Sequence, residues 1–263
     1  MRRRYPLSIH RIRNVPSRAN AQTIAELREA IDRIDGSTRR VRKTLAFGVP
    51  EIDRRLPNGG LSFGAIHEIG GGGQGAVAGA VSALFAAGIA ARTQGPVFWC
   101  LSRTDLYAPG LAQVGLNPNR IIFVESNDET AIGESFEECL RYGGMGAVVA
   151  ELVRLPADLS RRFHLAAEKT GTLGLIVRRW RRQAEATDFG HPTAASTRWR
   201  VSGMPSEPLP VEGVGRPRWL LELIRQRAGE NFDIEVNACD AEGHMSAVRQ
   251  ERTDDEQHWQ RRG

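Results

Sequence analysis

The sequence predicts an α/β domain whose mostly parallel sheet is flanked by helices and extended near its C-terminal end by antiparallel strands. From about residue 44 to residue 240, unbroken apolar runs of strand length alternate with helical patterns, as in parallel strands buried on both faces. Further along, residues 199–201, 219–225 and 232–238 alternate between apolar and polar side chains. The last two runs are joined by Ala228-Gly229-Glu230-Asn231, which is a hairpin signal.

The elements of the parallel part are predicted from the apolar runs and from the Gly, Pro or Asn residues that bound them. The strands are expected at residues 65–69, 97–101, 120–125, 147–151 and 173–177. The helix after the first strand, at 76–92, is apolar on all sides, as a helix buried against a sheet would be. Further helices are expected around 132–140 and from 156 to 171, where Gly171 ends the second.

Composition divides the chain into three regions. We predict a basic arm and an amphipathic helix at residues 1–43, the α/β domain at 44–240, and a polar C-terminal tail at 241–263. The amphipathic helix is indicated by an apolar stripe at spacings of three and four residues, made of Ile24, Leu27, Ile31 and Ile34. We expect this stripe either to pack on its own domain or to dock on a partner protein.

Composition also excludes several classes of protein. With 41% hydrophobic and 25% charged residues, the 263-residue chain is typical of a globular protein and not of a disordered or fibrous one. Cys100, Cys139 and Cys239 form no CxxC pair and the six histidines have no metal-ligand spacing, so neither a disulfide framework nor a metal site is predicted. No secretory signal and no apolar run of about 20 residues is visible, so we expect a cytoplasmic protein with no membrane partner.

The most informative segment is residues 47–80, with the sequence FGVPEIDRRLPNGGLSFGAIHEIGGGGQGAVAGA. A turn containing Gly59 and Gly60 leads into a strand that ends at Glu68-Ile69, and a glycine loop and a helix follow. This run resembles the entry to the core of RecA-type recombinases, and the order of the later elements fits a RecA-like core over roughly residues 44–240. The resemblance therefore implies a RecA-like fold.

Within that superfamily the chain is similar to the ImuA family, the RecA-like proteins of bacterial inducible mutagenesis cassettes. The similarity is carried by the lysine-free glycine loop, by residues 197–200, and by residues 219–223 with their hairpin partner through Cys239-Asp240. It implies a role in damage-induced translesion synthesis beside an ImuB-type relative of the Y-family polymerases and an error-prone C-family polymerase. RecA and single-stranded DNA are further expected partners.

The glycine loop lacks the side chains that a phosphate loop needs. The pattern GxxxxGK[ST] supplies a lysine to the β- and γ-phosphates and a hydroxyl to magnesium. Counted from the first glycine, Ala76, Val77 and Ala78 replace its second glycine, its lysine and its Ser/Thr. We therefore predict a vestigial loop without catalysis and without a cofactor, made of Gly71, Gly72, Gly73, Gly75, Ala76, Val77 and Ala78.

Two further positions agree with the loss of catalysis. The resemblance puts Ser102 where a RecA-like core has its water-activating Glu, and Glu151 where it has the magnesium-linked Asp. Three alternatives stay open: the glycines still bind an anion at the helix N-terminus, the chain is an ATPase with an unorthodox site, or it is a SulA-like inhibitor of cell division.

A second constellation follows the strand at 173–177 and consists of Arg178, Arg179, Trp180, Arg181 and Arg182. The second DNA-binding loop of RecA-like cores emerges at this end of the sheet, and four guanidiniums around an indole suit phosphate neutralisation with base stacking. The alternatives are a solvated strand end with a half-buried Trp, or a surface for a partner protein. The connection that would carry a first DNA loop, between Glu151 and Asp158, is short, which argues against filament formation on DNA.

Overall fold

Nine strands form one sheet in the computed structural model, which describes residues 43–248 apart from 74, 104, 181 and 208. Two short strands, β1 (Thr44–Leu45) and β2 (Leu61–Ser62), pair separately. The strands of the main sheet are β3 (Ala65–Gly71), β4 (Val97–Leu101), β5 (Ile121–Glu125), β6 (Ala147–Leu152), β7 (Leu173–Arg178), β8 (Thr197–Met204), β9 (Arg218–Gln226), β10 (Phe232–Asn237) and β11 (Ser246–Ala247). The α-helices are α1 (Pro50–Asp53), α2 (Gly75–Ala91), α3 (Ala108–Gln113), α4 (Glu129–Tyr142) and α5 (Ala157–Thr170).

The strand order of the main sheet is β11-β10-β9-β8-β3-β7-β6-β4-β5. The strands from β8 to β5 in this order run parallel, and β9, β10 and β11 are antiparallel to their neighbours. The predicted fold class is therefore confirmed. One detail differs, because β8 was grouped with the alternating strands but pairs parallel with β3 and antiparallel with β9, so it is the boundary between the two parts.

Each face of the sheet has its own apolar core. On one face Phe85 of α2 stacks on Phe47 at 6.0 Å between ring centroids, and Phe47 meets Trp199 of β8 edge to face. On the other face Phe136 of α4 packs against Phe163 of α5 at 4.9 Å. Helices on both faces leave the strand ends as the places where polar groups converge, as in other open α/β sheets.

The helix α2 is less buried than its sequence predicts. The second half of the helix is buried, but Ala76, Val77 and Ala80 in the first turns are exposed. An apolar helix surface is thus open to solvent directly after the glycine loop.

The C-terminal boundary of the domain lies beyond the predicted residue 240. The strand β11 pairs with β10, and Arg216 donates hydrogen bonds to the carbonyl oxygens of Ala238 and His244, so residues up to 247 belong to the sheet. The predicted tail is therefore corrected to begin after that strand. The predicted basic arm and the predicted helix at Ile24–Ile34 lie outside the described residues, which begin at residue 43.

Candidate functional site

The glycine loop connects β3 to α2 and is held by close backbone contacts. A Cβ atom on Gly71 would lie 2.7 Å from the carbonyl oxygen of Ala78 and 2.8 Å from its Cβ, and a Cβ on Gly72 would overlap the hydroxyl of Ser202. The amide of Gly72 donates to the carbonyl of Val201 at 2.8 Å. These contacts explain the glycines by packing, because a larger side chain has no room at either position.

The positions of the missing phosphate ligands are apolar in the structure. The side chain of Val77, which stands at the lysine position, is 75% exposed. The methyl group of Ala78, at the Ser/Thr position, packs against Gly71 and lies 3.8 Å from where a Cβ of Gly73 would be. Neither an ammonium group for the β- and γ-phosphates nor a hydroxyl for magnesium comes from these positions.

Beside the glycine loop, an arginine lies between two carboxylates. Arg179, directly after β7, lies 2.6 Å from Asp105 and 3.4 Å from Glu151, and a Cβ on Gly79 of α2 would be 3.5 Å from its guanidinium. The other oxygen of Glu151 accepts a hydrogen bond from the indole of Trp99 at 3.0 Å. Burial raises the pKa of Glu151, and the charge of Arg179 opposes that rise.

Arg178, the neighbour of Arg179 in sequence, lies in a buried charged network. Its guanidinium donates to Glu68 at 2.5 Å, to Asp188 at 2.5 Å and to the carbonyl of Val153 at 2.6 Å. Glu68 also accepts from Arg198 of β8 at 2.7 Å. The network holds two positive and two negative groups and is therefore balanced, as buried charges must be. It leaves Arg178 with no exposed surface for a ligand.

The same network fixes the connection from β7 to β8. Asp188 accepts the backbone amide of Leu155 at 3.0 Å, and the indole of Trp180 donates to the carbonyl of Val153 at 3.2 Å. Trp180 packs edge to face on Phe189 at 4.8 Å, and a Cβ on Gly70 would overlap both rings. Trp180 is therefore buried in the protein and its ring faces are not open to a base.

The predicted arginine-tryptophan constellation is thus not one surface in the described residues. Arg178 and Trp180 are interior residues, so their assignment to binding is corrected. Arg179 is 21% exposed and pairs with carboxylates, whereas Arg182 is 82% exposed. Arg181 lies outside the described residues. The first three residues of the constellation are therefore structural in this fold, and Arg182 alone among the four described ones presents a largely exposed charge.

Sequence reasoning did not single out Glu68, Arg198, Asp188 or Asp105. A signal for one of them was present, because Glu68 stands inside a strand that is predicted to be buried on both faces, where a charge requires an opposite charge beside it. Asp188 lies in the connection from β7 to β8 and Asp105 in the connection from β4 to α3, and nothing in their local sequence indicates the partner.

Among the described residues, no group of three or more His, Cys, Asp or Glu side chains is arranged to hold a metal ion. In the same part of the chain, every helix is too short or too polar to cross a bilayer.

The comparisons with known proteins agree with this architecture. No family model matches the chain. The crystal structure of the RadB recombinase superposes with a TM-score of 0.52 over 78% of this chain and all of that one, at 14% identity, and so shows the RecA-like fold alone. Protein ImuA from two strains of Caulobacter vibrioides is 37% identical over 206 residues, which are 74% of this chain and 84% of the relative. At that identity and coverage, the chain belongs to the ImuA family.

Proposed function

We propose that the chain is a non-catalytic RecA-like accessory protein of damage-induced, error-prone translesion synthesis, which acts by binding an ImuB-type relative of the Y-family polymerases. The observation that carries this proposal is the ion pairing of Arg179 with Glu151 and Asp105 beside a glycine loop without lysine. Membership of the ImuA family supports the role in the mutagenesis cassette.

The ion pairing argues against catalysis on electrostatic grounds. Phosphoryl transfer depends on cations that neutralise the charge developing on the γ-phosphate. Here the carboxylate that would help to hold magnesium, Glu151, already faces the guanidinium of Arg179. The loop itself offers Val77 and Ala78 in place of a cation and a hydroxyl.

The described surface favours a protein partner over single-stranded DNA. Base stacking on Trp180 requires an exposed ring face, and its ring is packed against Phe189. Among the described members of the predicted arginine-tryptophan constellation, Arg182 is the one whose charge is largely exposed for phosphate neutralisation. An error-prone C-family polymerase and RecA are further partners under this proposal, and the cytoplasm is the compartment in which all of them act.

Calorimetric titration with MgATP tests the absence of a nucleotide site. We expect no binding heat and no rise in melting temperature with MgATP at millimolar concentration. The matched variant carries Val77→Lys and Ala78→Ser together, and we expect it also to fail, because Arg179 still faces Glu151. A micromolar dissociation constant for the unmodified protein would overturn the absence of a nucleotide site, and magnesium-dependent ATP turnover would establish the ATPase alternative.

Binding to the purified ImuB-type protein, with and without MgATP, tests the positive part of the proposal. We expect one complex of equal affinity in both conditions, because Val77 and Ala78 of the described glycine loop offer neither a cation nor a hydroxyl to a nucleotide. A complex that forms only with nucleotide contradicts the proposal. Expression in dividing cells separates the SulA-like alternative: filamentous cells in the absence of DNA damage would favour an inhibitor of division.

A further inference from the structure

We propose that the loop between β8 and β9, residues 205–217, is the surface through which this chain binds its protein partner, and that the partner receives the loop in an apolar groove with a basic rim. The inference rests on the function proposed above, because it names the surface by which that binding occurs. Four properties of the loop carry it: a closed base, an exposed apolar tip, a backbone restricted by proline, and an exposed acidic side chain at the tip.

The two ends of the loop are held together at its base. The amide of Glu207 donates to the carbonyl of Arg216 at 3.2 Å, and the side chain of Glu207 pairs with Arg218 at 3.7 Å. A Cβ atom on Gly215 would lie 2.0 Å from the carbonyl oxygen of Glu207, so only glycine lets the two ends approach this closely. Residues 209–214, which lie between the two sides of the base, form the loop tip, and loops with such closed ends are frequently functional.

The loop tip carries exposed apolar side chains. Val214 is 87% exposed, Val211 is 69% exposed and Leu209 is 44% exposed. Leu209 lies next to Gly213, because a Cβ atom on that glycine would be 3.2 Å from a methyl group of Leu209. Single exposed apolar side chains are common on protein surfaces, whereas three of them within six residues are typical of an interaction site.

The loop lies at the same edge of the sheet as the glycine loop. The strand β8 runs parallel to β3 and continues past its end, because Gly71, the last residue of β3, pairs with Val201 and β8 ends at Met204. A Cβ atom on Gly203 would be 3.5 Å from the side chain of Val81, so the end of β8 lies against α2. The exposed apolar first turns of α2 are at this edge as well, and a partner that takes the loop therefore has further apolar surface to contact there.

Proline restricts the backbone of the loop before any partner binds. Pro205 and Pro210 each fix one backbone dihedral angle, and Met204 and Leu209, which precede them, are confined to extended conformations by the proline rings. A segment that is already extended loses less conformational freedom on binding. Proline-rich segments typically bind in apolar grooves in this extended form. The prolines therefore favour a groove on the partner over a flat surface.

Charge indicates the rim of that groove. Glu212 stands between Val211 and Val214 in the loop tip, is exposed, and forms no ion pair with an Arg or Lys among the described residues. Binding that buries the two valines also removes water from this carboxylate, and a carboxylate without a counter-charge would then weaken the complex. A basic side chain of the partner beside the apolar groove supplies that counter-charge and also selects against acidic surfaces.

Biolayer interferometry of the full-length protein against the purified ImuB-type protein tests the apolar part of the inference. We expect the variant with Val211→Asp and Val214→Asp together to bind at least about tenfold more weakly than the parent protein, because both charges would enter an apolar groove. The matched control Leu165→Asp places the same charge at an exposed apolar position of α5, on the other face of the sheet from α2, and is expected to leave the affinity unchanged.

The outcomes separate this inference from the function proposed above. If the parent protein binds and the loop variant binds equally well, the inference is overturned and the proposed function stands. If the parent protein does not bind the ImuB-type protein, the proposed function is contradicted and the inference that rests on it falls as well.

Two substitutions of Glu212 test the basic rim. We expect Glu212→Lys to weaken binding to the ImuB-type protein about tenfold at low salt and Glu212→Gln to weaken it less, because only the first places a positive charge against the basic rim. The difference between the two variants is expected to shrink as the salt concentration rises. Equal affinities of Glu212→Lys and the parent protein would contradict the basic rim.

Two further measurements keep the test decisive. If thermal unfolding shows that the double aspartate variant is not folded, Val211→Ser with Val214→Ser replaces it, because these changes remove the apolar groups without adding charge. Sedimentation of the free protein separates a second copy of the chain from a different partner: a dimer that the loop variant abolishes would assign the loop to self-association and overturn the inference.

Discussion

Arg178 and Arg179 are adjacent in the chain but lie on opposite faces of the sheet. Arg178 faces α5, is fully buried, and forms part of the network with Glu68 and Asp188. Arg179 faces α2, is partly exposed, and joins Glu151 to Asp105 at the end of the glycine loop. The two arginines therefore have different energetic weight, although the sequence presents them as one cluster.

The comparison shows that burial decides how much each arginine of a charged segment contributes to the stability of the fold. A buried guanidinium loses its hydration, so its partners are indispensable to the fold. A partly exposed guanidinium keeps part of its hydration, and its contacts contribute less to stability. His67, the residue next to Glu68, lies on the α2 face and is buried, and in the described part of the chain its ring nitrogens contact the hydroxyl of Thr197 at 2.8 Å and the carbonyl of Ser62 at 3.0 Å.

The largest expected effect is that of Arg178→Ala. The substitution leaves Asp188 without its guanidinium and Glu68 with Arg198 alone, and removing one member of a buried charged set typically costs about 3–5 kcal/mol. We expect that loss in the free energy of unfolding from urea denaturation. Arg182→Ala, in the exposed part of the same segment, serves as the control and is expected to change stability by less than about 0.5 kcal/mol. Similar small losses in both variants would erase the distinction between buried and exposed arginines.

The second-largest expected effect is a loss of folding stability at low pH, caused by His67 on the face of the sheet that α2 covers. Burial lowers the pKa of His67 from 6.5 to about 4. Between these values the unfolded chain binds a proton that the folded chain does not, so stability falls as the pH falls. We expect a loss of about 2 kcal/mol between pH 7 and pH 5 from this group, at about 1.4 kcal/mol per pKa unit. His67→Gln removes the titrating group, and an unchanged slope of stability against pH in that variant would contradict the assignment.

The smallest expected effect is that of Arg179→Ala. Glu151 keeps the hydrogen bond from Trp99, and Asp105 is half exposed, so we expect a loss of about 1 kcal/mol in the free energy of unfolding. The pKa of Glu151 is expected to rise further, because Arg179 opposes the effect of burial. Carboxyl carbon NMR measures that shift directly.

A double-mutant cycle sharpens the comparison at the α2 face. With Glu151→Gln already in place, Arg179→Ala is expected to cost less than in the parent protein, because the carboxylate that it neutralises is gone. Equal costs in both backgrounds would mean that Arg179 acts through packing alone.

The fold was predictable because its signals are local and repeated. The glycine run after β3, the unbroken apolar strands and the alternating strands near the C-terminal end each indicate one part of the sheet. The exposure of the first turns of α2 was not predictable, because a uniformly apolar helix has no polar face to mark the side that meets solvent. Whether Val77 is buried depends on what covers it, which is a tertiary property.

The loss of the phosphate ligands was predictable from Val77 and Ala78, because the lysine and the hydroxyl of a phosphate loop stand at fixed positions of the sequence. The pairing of the buried charges was not predictable, because Glu68 and its arginine partners are far apart in sequence and only the strand order brings them together. Arg178 was predicted as a surface residue because a run of arginines after a strand resembles an exposed cluster. The sequence of such a run does not show which face of the sheet each arginine side chain lies on.

The buried network also constrains the order in which the chain assembles. Glu68 is separated from Arg178 by 110 residues and from Arg198 by 130. A carboxylate in the middle of β3 cannot give up its water until these partners arrive, because unpaired burial is too costly. Dehydration of the central strand is therefore expected to wait for the chain beyond β7. Interactions that form this late chiefly set the unfolding rate, so the network is expected to act more on the lifetime of the folded state than on the speed of reaching it.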